Sequence, residues 1–384
     1  MSDKGAAKPR PVRCESQVLG LAMHPERSLA ITGEVSGVVK VWDYAKEGRN
    51  IEKQLVERKA DSTSGSCRLV SQFETGPIAL GYSSGLLRAV NENLETTWEM
   101  KEAHESGLSS LLWLDNDMIA TGDEDGRVKL WDTRTKSTAL STNTAQHGFI
   151  SDLLCSKAKA TLLAASGDGS LGVYSLRANK AEAVHITDEQ DDDQLCLETV
   201  CDEKKIVVGS SNGYLDIWKF NVDDFDAAGD RFLGHPDSVT SLLKLDEHVL
   251  CTGSTDGVLR IVNFSPNKLL GVLTDYRVPI EKMCWSSDRK LIATTSHDER
   301  VRFWDASILF DDEDDDEEED GEEEEDEEEG SGNEADKKNK RDDNDGGDQD
   351  DDDDDDDDSD SDTGKGGKRT LDQKLEEKKR KKVE

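Results

Sequence analysis

Gly122-Asp-Glu-Asp-Gly-Arg-Val-Lys-Leu-Trp-Asp132 is the stretch that decides the fold, because its frame returns six more times along the chain. The nearest copy is Gly33-Glu-Val-Ser-Gly-Val-Val-Lys-Val-Trp-Asp43. The same frame recurs at Gly81–Asn91, Ala165–Ser175, Gly209–Lys219, Gly253–Asn263 and Thr295–Asp305. Its central turn position falls at Gly37, Gly85, Gly126, Gly169, Gly213, Gly257 and Glu299, so neighbouring copies lie 41 to 48 residues apart. A unit of that length with a Trp-Asp close reads as one four-stranded blade of a β-propeller. Seven copies predict an all-β, seven-bladed ring over residues 10–310.

The third unit shows the local logic. Leu108 to Leu114 is an apolar run suited to an inner strand near the propeller axis, and Asp115-Asn116-Asp117 is turn chemistry. Met118 to Thr121 forms a second short strand, and Asp123-Glu124-Asp125-Gly126 a tight turn in which glycine supplies a backbone conformation that other residues resist. Val128 and Leu130 alternate with polar neighbours, as a half-buried third strand requires. Thr133 to Ser137 is a polar turn ahead of an outer strand near Thr138 to Thr142.

The seventh unit offers strands near Ile280 to Trp285, Leu291 to Thr294 and Val301 to Trp304, and then the chain turns acidic. The segment Pro11 to Glu15 precedes the first inner strand and belongs to no repeat. It is expected to pair with the third strand of blade seven, joining the two ends of the ring and hiding an open edge. Ala60 to Ser66 reads as a flexible link that accounts for the longest gap, and Asp188 to Gln194 as an exposed acidic loop.

Charge divides the 384 residues into regimes. The formal net charge is −38, but residues 311–362 hold 35 Asp and Glu against 4 Lys and Arg, while residues 363–384 hold 9 basic against 4 acidic residues. The body, residues 1–310, is therefore only moderately acidic at −12. Residues 1–9 and the acidic stretch 311–362 are expected to be disordered, since like charges repel and little apolar area is available. That tail suits basic partners such as ribosomal proteins, histones or basic peptides, an attraction that is fast and salt-sensitive. Lys378, Lys379, Arg380, Lys381 and Lys382 form a basic cluster of the kind that serves nuclear or nucleolar targeting. Ser359 and Ser361 sit among aspartates and are candidate phosphorylation sites.

Several function classes drop out. No apolar run approaches the ~20 residues that span a bilayer, and Met1 to Pro11 lacks the apolar stretch of a secretory signal. The seven cysteines, at 14, 67, 155, 196, 201, 251 and 284, show no Cys-x-x-Cys and no metal spacing. They are expected to be reduced thiols inside strands, in a cytosolic or nuclear compartment. No nucleophile elbow, phosphate loop or paired-acid constellation rises above the repeats, so no enzymatic activity, small-molecule substrate or cofactor is expected. The negative body argues against sequence-specific nucleic-acid binding.

The repeats resemble the WD-repeat family. In that family a His, a strand Ser or Thr, a turn Asp and a Trp form a hydrogen-bonded set inside each blade. Carried onto the third unit, the resemblance implies His104, Thr121, Asp125 and Trp131. The sixth unit offers His235, Thr252 and Asp256 with Val262 at the Trp place, and the seventh Thr294, Asp298 and Trp304 with Tyr276 near the His place. The fourth keeps His147 and Asp168 with Tyr174, the fifth Asn212 and Trp218, and the first two put Ser36 and Ser84 where Asp belongs. These residues occur once per repeat at one register, as a fold-maintaining device must.

More narrowly, Val18-Leu-Gly-Leu-Ala-Met-His-Pro25, Pro279-Ile-Glu-Lys-Met283 and Val301-Arg-Phe-Trp-Asp305 resemble the WD repeat-containing protein 55 family. That resemblance implies a nucleolar interaction scaffold in ribosomal RNA processing and large-subunit biogenesis, with pre-ribosomal factors or basic ribosomal proteins as partners. A different role is suggested by Trp131-Asp132-Thr133-Arg134, which matches the Trp-Asp-x-Arg signature of propellers that dock on a cullin-RING ubiquitin ligase adaptor. There Trp131, Asp132 and Arg134 would form the contact, with Arg134 making the key charged interaction.

Overall fold

Each repeat carries runs of Val, Leu, Ile and aromatic residues bounded by Gly, Asp, Asn and Ser, and such runs favour pleated, half-buried strands. A computed structural model describes residues 10–44, 53–135, 139–177, 180–221 and 228–309. In these residues the runs form seven four-stranded antiparallel sheets. Blade three comprises Leu108–Trp113, Met118–Asp123, Val128–Asp132 and Ser141–Asn143, paired in chain order. The observed architecture is the predicted all-β, seven-bladed propeller. Residues 1–9, the tail 311–362 and the segment 363–384, with Ser359, Ser361 and Lys378 to Lys382, lie outside the described residues. Among those described, no helix is long and apolar enough to cross a membrane.

The seventh sheet closes the ring as expected. Its order is Val12–Arg13, Arg300–Asp305, Leu291–Thr295, Lys282–Trp285, so the start of the chain supplies the outer strand. Val12 faces Val301 and Arg13 faces Arg300, and the Cys14 N–H donates to the Glu299 carbonyl at 2.9 Å. Val12 and Val301 share an apolar cluster with Leu21, Trp42, Ala293 and Phe303, which joins blades seven and one. The other clusters sit likewise between neighbouring sheets, as where Ile31 and Val41 of blade one meet Ile78 and Leu80 of blade two. Packed sheet faces thus hold the ring together, and each blade depends on its neighbours.

The turn glycines have a steric reason. Gly126 has φ +79°, and a Cβ there would lie 2.4 Å from the Gln146 carbonyl oxygen of the next blade. At Gly85 the same atom would stand 2.2 Å from the His104 carbonyl oxygen. The repeated glycine therefore permits both a left-handed turn and close stacking of blades.

Two expectations need correction. The segment Ala60 to Ser66 is stitched to blade two. Asp61 accepts from the Arg88 guanidinium at 2.6 Å, Ser64 is fully buried, and the Ser64 carbonyl accepts from Ser84 Oγ at 2.7 Å. All seven cysteines are free, but Cys14 and Cys201 lie outside strands. Cys201 opens a turn in which Cys201, Asp202 and Glu203 all have φ near +55°, a backbone no strand adopts.

Candidate functional site

The blade network of the third unit is built from four side chains, and one differs from the sequence expectation. His104 Nδ1 lies 2.7 Å from Asp123 Oδ2, and His104 Nε2 lies 2.7 Å from Thr121 Oγ1. The Trp131 indole N–H donates to Thr121 Oγ1 at 2.8 Å. The acid is Asp123, and Asp125 takes no part. Side chains two apart on a strand share a face, so Asp123 points inward beside Thr121. Asp125 lies past the strand end, exposed, and pairs with Arg127 at 2.8 Å.

The donors fix the protonation. A carboxylate only accepts, so His104 carries its proton on Nδ1, and Thr121 donates to Nε2 while accepting from Trp131. Burial lowers the His104 pKa against the pull of Asp123, which keeps the ring neutral. Burial opposes ionisation of Asp123, but the hydrogen bond from His104 and the N–H groups of Arg127 and Asp125 outweigh it and hold the carboxyl at about 2.

Other blades keep fragments of this set. In blade six His235 Nε2 meets Thr252 Oγ1 at 2.7 Å, but Ser254 stands where Asp123 would be and Asp256 pairs with Arg260 at 2.6 Å. Burial, aided by Arg260, pulls the His235 pKa down to about 4. In blade seven the Trp304 indole donates to Thr294 Oγ1 at 2.9 Å, while Asp298 pairs with Arg302. Asp125, Asp256 and Asp298 thus share one register and serve ion pairs, outside the networks. Blade four uses Gln146 in place of the expected His147. The Tyr174 hydroxyl donates to Gln146 Oε1 at 2.9 Å, and His147 is exposed. In blade one the Trp42 indole donates to Thr32 Oγ1 at 2.9 Å, and the buried acid is Glu34, which pairs with buried Lys40 at 3.2 Å. Ser36 is exposed beside it. In blade five Asn212 donates to Asp192.

A device missed in the sequence explains how degenerate blades hold. Lys40, Arg88, Lys129, Arg260 and Arg302 occupy one register of the third strand, two residues before the Trp position. Arg88 is buried between Asp61 and Glu99, both at 2.6 Å. Blade five inverts the pair, with Asp216 accepting from Arg231 at 2.5 Å. The signal was legible in Val-Lys-Val-Trp, Val-Lys-Leu-Trp and Val-Arg-Phe-Trp, had the frame been read for cations as well as for His and Asp. Since His104 and Asp123 are enclosed, no substrate reaches them.

The Trp-Asp-x-Arg stretch is resolved into unequal parts. Trp131 is buried in its blade, and Asp132 is nearly so. Arg134 is 61% exposed, and its Nε and Nη2 meet Asp132 at 2.9 and 2.7 Å. Only Arg134 of the three presents its side chain to solvent.

The second site is the mouth of the central channel, which sequence reasoning did not find. In six blades the register slips near the start of the inner strand, at Val18/Gly20, Cys67/Leu69, Leu108/Ser110, Ile150/Asp152, Gln194/Cys196 and Val239/Ser241. Each bulge leaves one unpaired residue and re-aims it. Those residues are Leu19, Arg68, Ser109, Ser151, Leu195 and Thr240, and all six line one cavity of about 570 Å³ with Glu281 and Lys282 of blade seven. Ser109 Oγ donates to the Ile150 carbonyl at 2.7 Å and Ser151 Oγ to the Gln194 carbonyl at 2.5 Å, tying each blade to the next. Below lies a smaller space of about 110 Å³ beside Asp152 and Lys282. Burial raises the Asp152 pKa against the field of Lys282. Burial likewise pushes Glu198, on the inner strand of blade five, up to about 7.

Among the described residues, His147, Asp168 and Glu189 bring potential metal-ligand atoms within 4.8 Å of one another on the surface. The Asp168 oxygens already accept from the N–H groups of His147, Gly148 and Ser170, at 2.7, 3.0 and 2.9 Å.

Comparison with known proteins covers the whole ring. A family model described as WDR55 matches residues 9–309. WD repeat-containing protein 55 of Homo sapiens is 33% identical over 312 residues, covering 78% of this chain and 77% of its own length. WD repeat-containing protein JIP5 of Cryptococcus neoformans is 30% identical over 304 residues, covering 76% and 80%. WD repeat-containing protein 55 of Arabidopsis thaliana is 29% identical over 293 residues, again covering 76% and 80%.

Proposed function

The chain belongs to the WDR55 family of WD-repeat proteins, and from that membership we propose a non-enzymatic, nucleolar interaction scaffold that acts in ribosomal RNA processing and large-subunit biogenesis. One observation carries the scaffold reading. The His, Thr, Asp and Trp side chains that would be catalytic candidates are spent inside the blades, while the channel mouth, built by backbone bulges, remains open. The partners are pre-ribosomal factors or basic ribosomal proteins, attracted by the acidic residues 311–362. Lys378 to Lys382 supply nuclear and nucleolar targeting, and Ser359 and Ser361 are sites at which phosphorylation would add further negative charge.

Affinity purification of the full chain and of a chain lacking 311–384, each sedimented against ribosomal precursors, tests this reading. Co-migration with pre-ribosomes that weakens without the tail supports it, and absence of co-migration by both chains removes it. A second reading is favoured by the geometry of Arg134. Its guanidinium is both solvent-exposed and fixed by two contacts to Asp132, as suits docking on a cullin-RING ligase adaptor. Unchanged adaptor pull-down by Arg134→Ala eliminates that role.

A further inference from the structure

We propose that the channel mouth binds a linear segment of a partner protein in which an apolar side chain is flanked by lysine or arginine. This rests on the scaffold reading only in taking the occupant to be a protein. The apolar half of the argument is the collar. Leu19, Leu69, Leu195 and Phe149 line the cavity of about 570 Å³. Phe149 is held in place by Gly167, where a Cβ would come within 2.1 Å of the ring. An aromatic ring fixed at the rim loses little freedom on binding, and that is a property of good anchors.

The charged half is the asymmetry of the rim. The loops around Phe149, residues 144–149, 166–170, 187–194 and 211–213, contain six acidic residues and no lysine or arginine. The acids stand beside the ring. Asp168 accepts from the N–H of Gly148, the residue before Phe149, and Glu189 lies 3.3 Å from the His147 imidazole. The opposite side of the mouth is mixed in sign, with Arg68 bound to Glu124 and with Lys282 beside Glu281. A basic segment is therefore drawn toward blades four and five, whereas an acidic peptide or a nucleic acid is repelled from the acidic side.

The test uses the full chain and a twelve-residue probe in which a photo-reactive benzoylphenylalanine is flanked by lysines and arginines. Crosslinked sites are mapped by mass spectrometry. The expected result is crosslinking to Leu69, Phe149 or Leu195 that falls at least fivefold in the exposed double variant Glu189→Lys with Asp191→Lys. The control Asp202→Lys, in a different loop, leaves the yield unchanged. Crosslinks confined to residues 311–362, or equal labelling by a probe with glutamates in place of the basic residues, overturn the proposal. Because the readout is a site on the propeller, its failure is distinguishable from loss of pre-ribosome co-migration, which reports on the scaffold reading.

Discussion

Asp123 and Asp125 sit two residues apart at one turn, and the structure assigns them opposite weight. Asp123→Ala removes the acceptor of the buried His104 Nδ1–H and frees the N–H groups of Asp125 and Arg127, which Asp123 Oδ1 accepts at 3.0 and 2.8 Å. A hydrogen bond to a charged group contributes about 1.5–3 kcal/mol, and a buried donor left unpaired carries its desolvation cost in full. Counting all three bonds at the low end, the loss is about 4.5 kcal/mol, a large share of the ~5–15 kcal/mol that holds a domain folded. Asp125→Ala removes one ion pair to Arg127 in which Asp125 is half exposed, a contact of at most ~1 kcal/mol. The acid limb gives an independent check. The carboxyl of Asp123 is held at about 2 in the fold, below the ordinary aspartate value of 3.8, so its stabilisation is present above pH ~4 and is lost as the pH falls toward 2. Urea unfolding followed by tryptophan fluorescence measures both effects. The expected outcome is a large fall in midpoint for Asp123→Ala, little change for Asp125→Ala, and an acid limb flattened only in the former. Equal losses for the two variants would refute the assignment of the network.

Deleting residues 1–16 strips the outer strand from blade seven, removes the buried Val12 and Cys14 and the Ser16 bonds to Glu34, and uncovers Val301. Differential scanning calorimetry should show the melting temperature falling sharply, and an unchanged value would rule out the closure. Burial holds Glu198 at about 7, above the ordinary glutamate value of 4.5, so its protonated form favours the fold and that contribution is lost as the pH rises through 7. Glu198→Gln should therefore stabilise by about 3 kcal/mol at pH 8 and by much less at pH 5, and the reverse order in thermal melts would contradict the buried placement. Gly126→Ala meets both a left-handed turn and the Gln146 carbonyl, so it should destabilise by more than ~1 kcal/mol in urea, whereas a neutral result would mean that the blades are free to separate.

The repeat made the architecture legible because spacing and turn glycines are imposed by the backbone of every blade. The closure was legible because Pro11 to Glu15 belonged to no repeat while blade seven lacked an outer strand. The network acid was misplaced for a definable reason. Both Asp123 and Asp125 precede the turn glycine, and only strand pairing shows that Asp123 remains in the ladder opposite Leu108. The linker 60–66 looked flexible from Ser, Thr and Gly alone, because its order comes from Arg88, 27 residues beyond Asp61. Composition carries no record of a partner at that distance.

The channel mouth was hidden for a deeper reason. Its residues are selected by bulges, which are events of the backbone, and the side chains at the bulged positions are Leu, Arg, Ser, Ser, Leu and Thr. Such a set forms no motif, since the strand pairing that places these positions is made by the backbone and not by their side chains. The blade networks show the converse, with residue types constrained by buried hydrogen bonds and no access to solvent. A ring of this kind separates the two demands: the conspicuous residues keep the fold, and the inconspicuous ones at the mouth are free to set which partner enters.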